Sequence, residues 1–244
     1  MPKKGDAMKI DVCLVTKNNV NTINGIEFLP INKLIIETSK PLALARMNAI
    51  KKVKTEFFAF IDDDVTIDIT WFETIKPYTK KTDVGATQGS LLIKGLGDKW
   101  DNALNSRTVF QQELKIGERG CTHNTLIRTE LVKDWVPPQN LSAWEDYSLT
   151  QHILNKGYRW VVIPTKSHHT KSWKNIWKNI FWGIKGENEF FPSRKHNLIR
   201  IIQMMARMFR AIISTKKHWR VKIYLVFGYI GRIFAYTKYF IWRL

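Results

Sequence analysis

The stretch FFAFIDDDVTID, residues 57–68, decides how this chain is read. Five apolar residues, Phe57 to Ile61, run without interruption into three carboxylates, Asp62, Asp63 and Asp64. A short continuous apolar run of this kind suits a strand buried on both faces, as in a parallel sheet. Three adjacent like charges repel, and burying any of them without a partner is costly. The carboxylates therefore belong at the C-terminal end of the strand, where open α/β sheets meet their ligands. Hard Mg2+ or Mn2+ would cancel the repulsion, because such ions prefer oxygen donors. In an extended chain Asp62 and Asp64 project to one side and Asp63 to the other. That alternation predicts that the first and third carboxylates share a cation. An acidic turn after a strand is the plainer alternative.

The flanking sequence supports the sheet. IDVCLV, from Ile10 to Val15, reads as a buried strand running into a polar loop, and NKLIIETSK as a second strand closed by Pro41. PLALARMNAIKKVK has apolar positions at helical spacing among good helix formers. Downstream, DVGATQGSLLI is a further strand region, and GCTHNTLIRTELV reads as a strand leading into a helix. VPPQNLSAW is a loop by its prolines, EDYSLTQHILNKG is a helix stopped at Gly157, and YRWVVIP is a final β-run ended by Pro164. This order predicts an α/β fold with an at least partly parallel sheet.

Charge divides the chain differently from hydrophobicity. Of 244 residues, 44% are hydrophobic and 25% charged, which are globular values, but the formal net charge is +18. Residues 167–244 hold 16 basic and 2 acidic side chains, against 23 and 19 in residues 1–166. A cationic, Trp-rich rear third points to a polyanionic partner, either nucleic acid or an anionic membrane surface. Cys13 and Cys121 are too few for a disulfide framework or a zinc site and read as buried thiols in a reducing compartment. The opening MPKKGDAMKI lacks the apolar core of a secretory signal.

Within that rear third, Trp173, Ile176, Trp177, Ile180 and Phe181 form one apolar stripe on a basic helix. In NLIRIIQMMARMFRAII, Arg200, Gln203, Arg207 and Arg210 share a narrow face with Ile and Met around the rest. The last segment is apolar but broken by Lys222, Arg232 and Lys238, leaving no run near the ~20 residues a spanning helix needs. Basic, aromatic, amphipathic helices of this kind lie in a membrane interface. Packing on the α/β domain or in a homo-oligomer is the alternative.

Two further clusters can carry chemistry. Glu145 and Asp146 of WEDYSL precede a helix, whose N-terminal dipole favours a carboxylate; one of them serving as a cap is the structural alternative. His168 and His169 follow the last β-run and offer a third metal ligand.

Taken together, these motifs resemble glycosyltransferase family 2, of the GT-A fold. The resemblance rests on the opening strand, the ALAR helix, FxAFIDDDV, GCTHNTLIR, WEDYSL with NKGYRW, and the late histidine. It covers roughly residues 9–170 and leaves 171–244 outside, as a helical, membrane-associating region. It implies a Rossmann-like, mostly parallel central sheet and a divalent cation, Mn2+ or Mg2+, gripping the diphosphate of a UDP- or GDP-sugar. By position, Asp62 and Asp64 would hold that metal with His168, His169 being the alternative, and Asp63 would lie near the ribose. Asp146 would be the base that deprotonates the acceptor, with Glu145 beside it. Thr16, Arg46 and Glu37 would be nucleotide-side contacts, Glu37 as the acidic residue in the region that reads the base.

The chain departs from the family pattern in several places. The stretch before the ALAR helix is shortened, Met47 stands where Asn is common, and His152 stands where Arg is common. A QxxRW motif of processive synthases is absent, which favours single additions. The expected activity is inverting transfer of a sugar to a lipid-linked acceptor such as a polyprenyl phosphate. The expected location is the cytoplasmic face of the cell membrane, held by residues 171–244, without nucleic acid. Two rivals remain at this stage: a basic nucleic-acid-binding protein, which leaves DDD, WED and HH unexplained, and a metal-dependent phosphoesterase, which needs more spaced ligands in the first half.

Overall fold

In the computed structural model of the chain, residues 8–17, 20, 23–106, 110–138, 141–215 and 217–241 are described. They form two units, one made of Met1–Leu92 and Val109–His169, the other of Ile93–Thr108 and Thr170–Leu244.

The first unit is built on the apolar runs. Strands β1 (Ile10–Val15) and β2 (Ile31–Glu37) are followed by helix α1 (Leu42–Lys52) and β3 (Phe57–Ile61). A two-residue β4 (Val65–Thr66), α2 (Trp71–Ile75) and β5 (Val84–Gly89) come next. Past β6 (Leu92–Lys94) and α3 (Asp98–Asn105), the chain adds β7 (Gln112–Glu113), β8 (Asn124–Arg128), α4 (Glu145–Asn155), β9 (Arg159–Ile163) and β10 (His168–Thr170).

Seven strands form one sheet in the order β2-β1-β3-β8-β5-β9-β7. β1 pairs in parallel with β2 and β3, and β5 with β9, whereas β8 is antiparallel to both β3 and β5 and β7 is antiparallel to β9. Five of the seven strands therefore run the same way, which gives the mostly parallel central sheet that the sequence led us to expect. Alternation along the strands splits the core in two. Val12 and Leu14 of β1 with Ala59 and Ile61 of β3 pack with Trp71, Phe72 and Ile75 of α2. Cys13, Phe58 and Phe60 point the other way, into Ala49 and Ile50 of α1 and Leu149 and Ile153 of α4. Burial on both faces is why Phe57–Ile61 shows no polar alternation. At Gly85, a Cβ would come within 2.6 Å of Ile153, so glycine there lets α4 lie close on the sheet.

The sequence placed a helix after β8; the structure has only a single 3-10 turn, Thr129–Leu131. The first unit ends at His169, but residues 93–108 group with the helices. The apolar side of α3 explains the grouping: Leu104, Trp100 and Ala103 cluster with Leu96, Ile176, Val221, Tyr224 and Leu225.

The second unit also holds α5 (Trp173–Phe190), α6 (Arg194–Ile213) and α7 (Trp219–Ile241). Ile184, Met204, Ala235 and Tyr236 are its buried centre. Inside lies a charged hub. Glu187 is 3% exposed and accepts from Arg200 Nε at 2.6 Å, His196 Nε2 at 2.9 Å and Tyr236 Oη at 2.5 Å. One carboxylate on α5 thus ties in both other long helices. The stripe foreseen on α5 is partly spent internally, since Ile176, Ile180 and Phe181 join these clusters. Among the described residues, no helix is long and apolar enough to cross a membrane.

Candidate active site

The three aspartates occupy a turn, not an extended strand. Asp62 N donates to the carbonyl of His123 at 3.1 Å, and Val65 N donates back to the carbonyl of Asp62 at 3.2 Å. This closes a four-residue turn at the end of β3, so the alternation that would aim Asp62 and Asp64 at one cation does not apply. Each carboxylate finds its own partner instead. Arg46 Nη2 donates to Asp62 at 3.1 Å, Thr16 Oγ1 to Asp63 at 2.5 Å, and His169 Nε2 lies 2.6 Å from Asp64. The repulsion that the sequence assigned to a metal is divided among α1, the end of β1 and β10.

Arg46 does more than neutralise Asp62. Its Nε donates to Glu145 Oε1 at 2.9 Å, joining the end of β3 to the start of α4. Arg46 and Glu145 are both buried, 4% and 3% exposed. Burial pushes the Glu145 carboxyl above its usual range, the Asp146 charge adds to that, and Arg46 opposes it. The two carboxylates around Arg46 hold its guanidinium firmly protonated against the burial that would discharge it. Among the described residues, Arg46 Nη1 and Glu145 Oε2 are buried without a hydrogen-bond partner. The bridge therefore satisfies only part of what it buries.

Asp146 is held from the other side. Arg119 donates from Nε to Oδ1 at 2.7 Å and from Nη2 to Oδ2 at 2.9 Å, a two-pronged pair. The Arg119 guanidinium lies 4.9 Å from the centre of the Trp144 ring, a cation–π distance. Trp144 itself takes a left-handed backbone conformation, φ 69°, at the residue before α4. Gly120, next to Arg119, is pressed against the Trp160 ring, where a Cβ would lie 2.5 Å from Cε2.

The histidines come out differently from their ranking in the sequence. His169, the alternative, is the one on Asp64; His168, the first choice, is paired with Thr66 on β4 and acts electrostatically on Asp68. Strand alternation in β10 separates them, because neighbours on a strand face opposite ways. Burial pushes the Asp64 carboxyl up, but the His169 contact outweighs it and the net direction is down. His123, which sequence reasoning passed over inside GCTHNT, sits with this group, its ring 6.3 Å from that of His169. Burial pulls its pKa down to about 4 against the attraction of Asp62, so it is neutral at pH 7. Its signal in the sequence was its place just before the strand that pairs with β3.

Glu37 is not brought to this cluster. It accepts from Lys52 Nζ at 2.7 Å and from the Ser39 backbone and hydroxyl, and although burial opposes it, these bonds pull its pKa down to about 2. Glu37 thus links the end of β2 to the C-terminal end of α1.

The donor chemistry at Asp64 and His169 fits a divalent cation that takes most of its shell from substrate phosphate and water. The pair is half open to solvent, Asp64 at 50% and His169 at 25% side-chain exposure. Asp62 is taken by Arg46, and among the described residues no group of three or more His, Cys, Asp or Glu is arranged to hold a metal. A two-residue holder is what this geometry supports.

Residues 23–135 match the family described as Glycosyl transferase family 2. That span holds Glu37, Arg46, the three aspartates, Arg119 and His123, while Thr16, Glu145, Asp146 and both late histidines lie outside it. No curated protein sequence matches the chain. Among solved structures, TarS of S. aureus in complex with UDP-GlcNAc matches at 18% identity and a TM-score of 0.41, over 68% of this chain and 59% of that one. TarS in complex with UDP matches at 16% identity and a TM-score of 0.44, over 97% and 91%. A mannosyltransferase of Pyrobaculum calidifontis in complex with GDP-Man and Mn2+ matches at 12% identity and a TM-score of 0.46, over 94% and 73%. The chain spans under two thirds of the length of the first of these. None of these likenesses is close enough to transfer a ligand or a substrate.

Proposed function

We propose, from the match of residues 23–135 to the family described as Glycosyl transferase family 2, that the chain is a glycosyltransferase that moves a sugar from a nucleoside diphosphate donor to a lipid-linked acceptor with inversion. The observation that carries this reading is the Arg46 bridge, which joins Asp62 of the DDD turn to Glu145 of the WED helix. Two motifs more than 80 residues apart in sequence become one centre.

Asp64 and His169 would hold a divalent cation, which when bound supplies Lewis-acid neutralisation of the leaving diphosphate. The chain's own groups do the rest. Thr16 fixes Asp63 at the end of β1, on the side proposed for the ribose. Arg46 holds positive charge between Asp62 and Glu145, so one cation draws the donor-side and acceptor-side carboxylates together. Asp146, at the first turn of α4, would take the acceptor proton. In the free enzyme both its oxygens are on Arg119 and Oδ1 also accepts from Tyr147 N, which leaves a lone pair of Oδ2 for the acceptor proton. One base and in-line displacement give inversion at the anomeric carbon. A membrane-borne acceptor fits the cationic charge of residues 167–244.

The test is release of nucleoside diphosphate from a panel of UDP- and GDP-sugars, with polyprenyl phosphate as acceptor and Mn2+ present. Asp146→Asn should lower turnover by about 100-fold or more, within the usual contribution of a general base. Full turnover in that variant refutes the role of Asp146, and no turnover with any donor refutes the substrate class.

A further inference from the structure

We infer that the exposed apolar face of α6 is a docking surface for an anionic phospholipid bilayer. The inference stands on the helical unit alone and does not depend on the chemistry of the aspartate centre. Leu198, Ile202, Met205, Phe209, Ile212 and Ile213 are all exposed, from 45% to 63%. At 100° per residue they fall within one sector of the helix, and Ile199 borders it. The sector runs about 23 Å along the axis, at about 1.5 Å per residue.

The opposite side of α6 is already used. Asn197, Met204 and Ala211 are buried, with Asn197 donating to Asn188 at 2.7 Å and Arg200 drawn onto Glu187. The exposed stripe is therefore not the helix's packing face. It is a second apolar face that the described residues leave open. Exposed apolar patches of this length mark contact with a protein or a membrane.

Charge selects the bilayer. Arg210 flanks the stripe beside Ile199 and Arg207 lies further round the helix, both exposed, and among the described residues neither has an acidic partner. Residues 167–244 carry 16 basic and 2 acidic side chains, and both acids are taken internally, Glu187 in the buried hub and Glu189 by Lys185 at 3.7 Å. A self-complementary dimer face would bring arginines against arginines, whereas anionic headgroups meet them with the opposite sign. Trp219, Ile223, Phe227, Phe234 and Ile241 form a second exposed stripe along α7, with Arg220 stacked 4.3 Å over the Trp219 ring. Aromatic and basic residues in this mixture suit the headgroup boundary. Since no described helix can cross a bilayer, the helices would lie in its plane.

The test uses the full chain and two kinds of vesicle, phosphatidylcholine alone and phosphatidylcholine with phosphatidylglycerol. Wild type should co-sediment with the anionic vesicles and not with the neutral ones. Ile202→Asp with Phe209→Asp should cut the partition at least about tenfold, because charge on the buried face opposes insertion. Arg207→Gln with Arg210→Gln leaves the apolar face intact and should cut it by about 25-fold, at about a factor of five per basic residue. Nucleotide binding should be the same in all three proteins, which separates failure of the docking face from failure of the transferase reading. Equal vesicle binding by the variants overturns the inference. So does a wild-type dimer that the Asp variants dissociate, or salt-sensitive binding to single-stranded RNA without vesicle binding.

Discussion

Arg46→Met tests whether the two motifs are one centre. The substitution keeps the aliphatic volume in α1 and removes the charge, leaving Glu145 buried at 3% exposure without its cation. Removing one partner of a buried ion pair costs about 3–5 kcal/mol. The Asp62 half adds little, because its side chain is 31% exposed and water screens it. In urea, with a slope of about 2 kcal/mol/M, the unfolding midpoint should fall by about 1.5–2.5 M at pH 7. The pH dependence has a definite sign. Glu145 already lies above its usual range, and loss of Arg46 removes the one charge opposing that shift. A carboxyl with a raised folded pKa binds more protons folded than unfolded, so stability falls as pH rises above the unfolded value. The deficit should therefore shrink as pH is lowered from 7 toward 5. Adding Glu145→Leu should recover most of the loss, since no unpaired charge then remains. A midpoint shift below about 0.5 M, or an equal deficit in the double variant, would refute the bridge.

Other perturbations follow from particular contacts. Glu37→Gln should remove an acid-sensitive contribution: with a folded pKa of about 2 against the ordinary 4.5, that contribution is complete above pH 4.5 and lost as pH falls through about 2. Urea unfolding followed by circular dichroism should show the variant less stable than wild type above pH 4.5, with the difference vanishing as pH falls toward 2. Gly120→Ala drives a Cβ toward Trp160 and should cost about 1–3 kcal/mol of stability in thermal unfolding, while displacing Arg119 from Asp146. Glu187→Leu strands Arg200, His196 and Tyr236 in the helical unit and should cost about 3–5 kcal/mol, read from the helical signal at 222 nm.

The strands and helices with strong apolar patterns were legible from residues alone. β1, α1, β3, α4 and β9 begin and end within a residue or two of their sequence signals. The reversal of β8 was not, because a run such as NTLIR, buried on both faces, carries no mark of direction. The grouping of residues 93–108 with the helices depends on a tertiary contact between α3 and α7, invisible in a local pattern. At the site, residue types were readable and pairings were not. Asp62 and Asp64 looked alike by spacing, yet a turn sends one to Arg46 and the other to His169. His168 and His169 cannot be ranked without the register of β10 on β4. Arg119 lacked any motif, since its role arises only when the chain around Gly120 folds over α4.

Isothermal titration of UDP and GDP, each with and without Mn2+, tests the central claim most directly in wild type and Asp64→Asn. One nucleotide should bind wild type, and Mn2+ should tighten it at least about tenfold, a gain that Asp64→Asn abolishes while metal-free binding stays the same. Failure of both nucleotides to bind under any condition, or an undiminished Mn2+ effect in Asp64→Asn, would contradict the account.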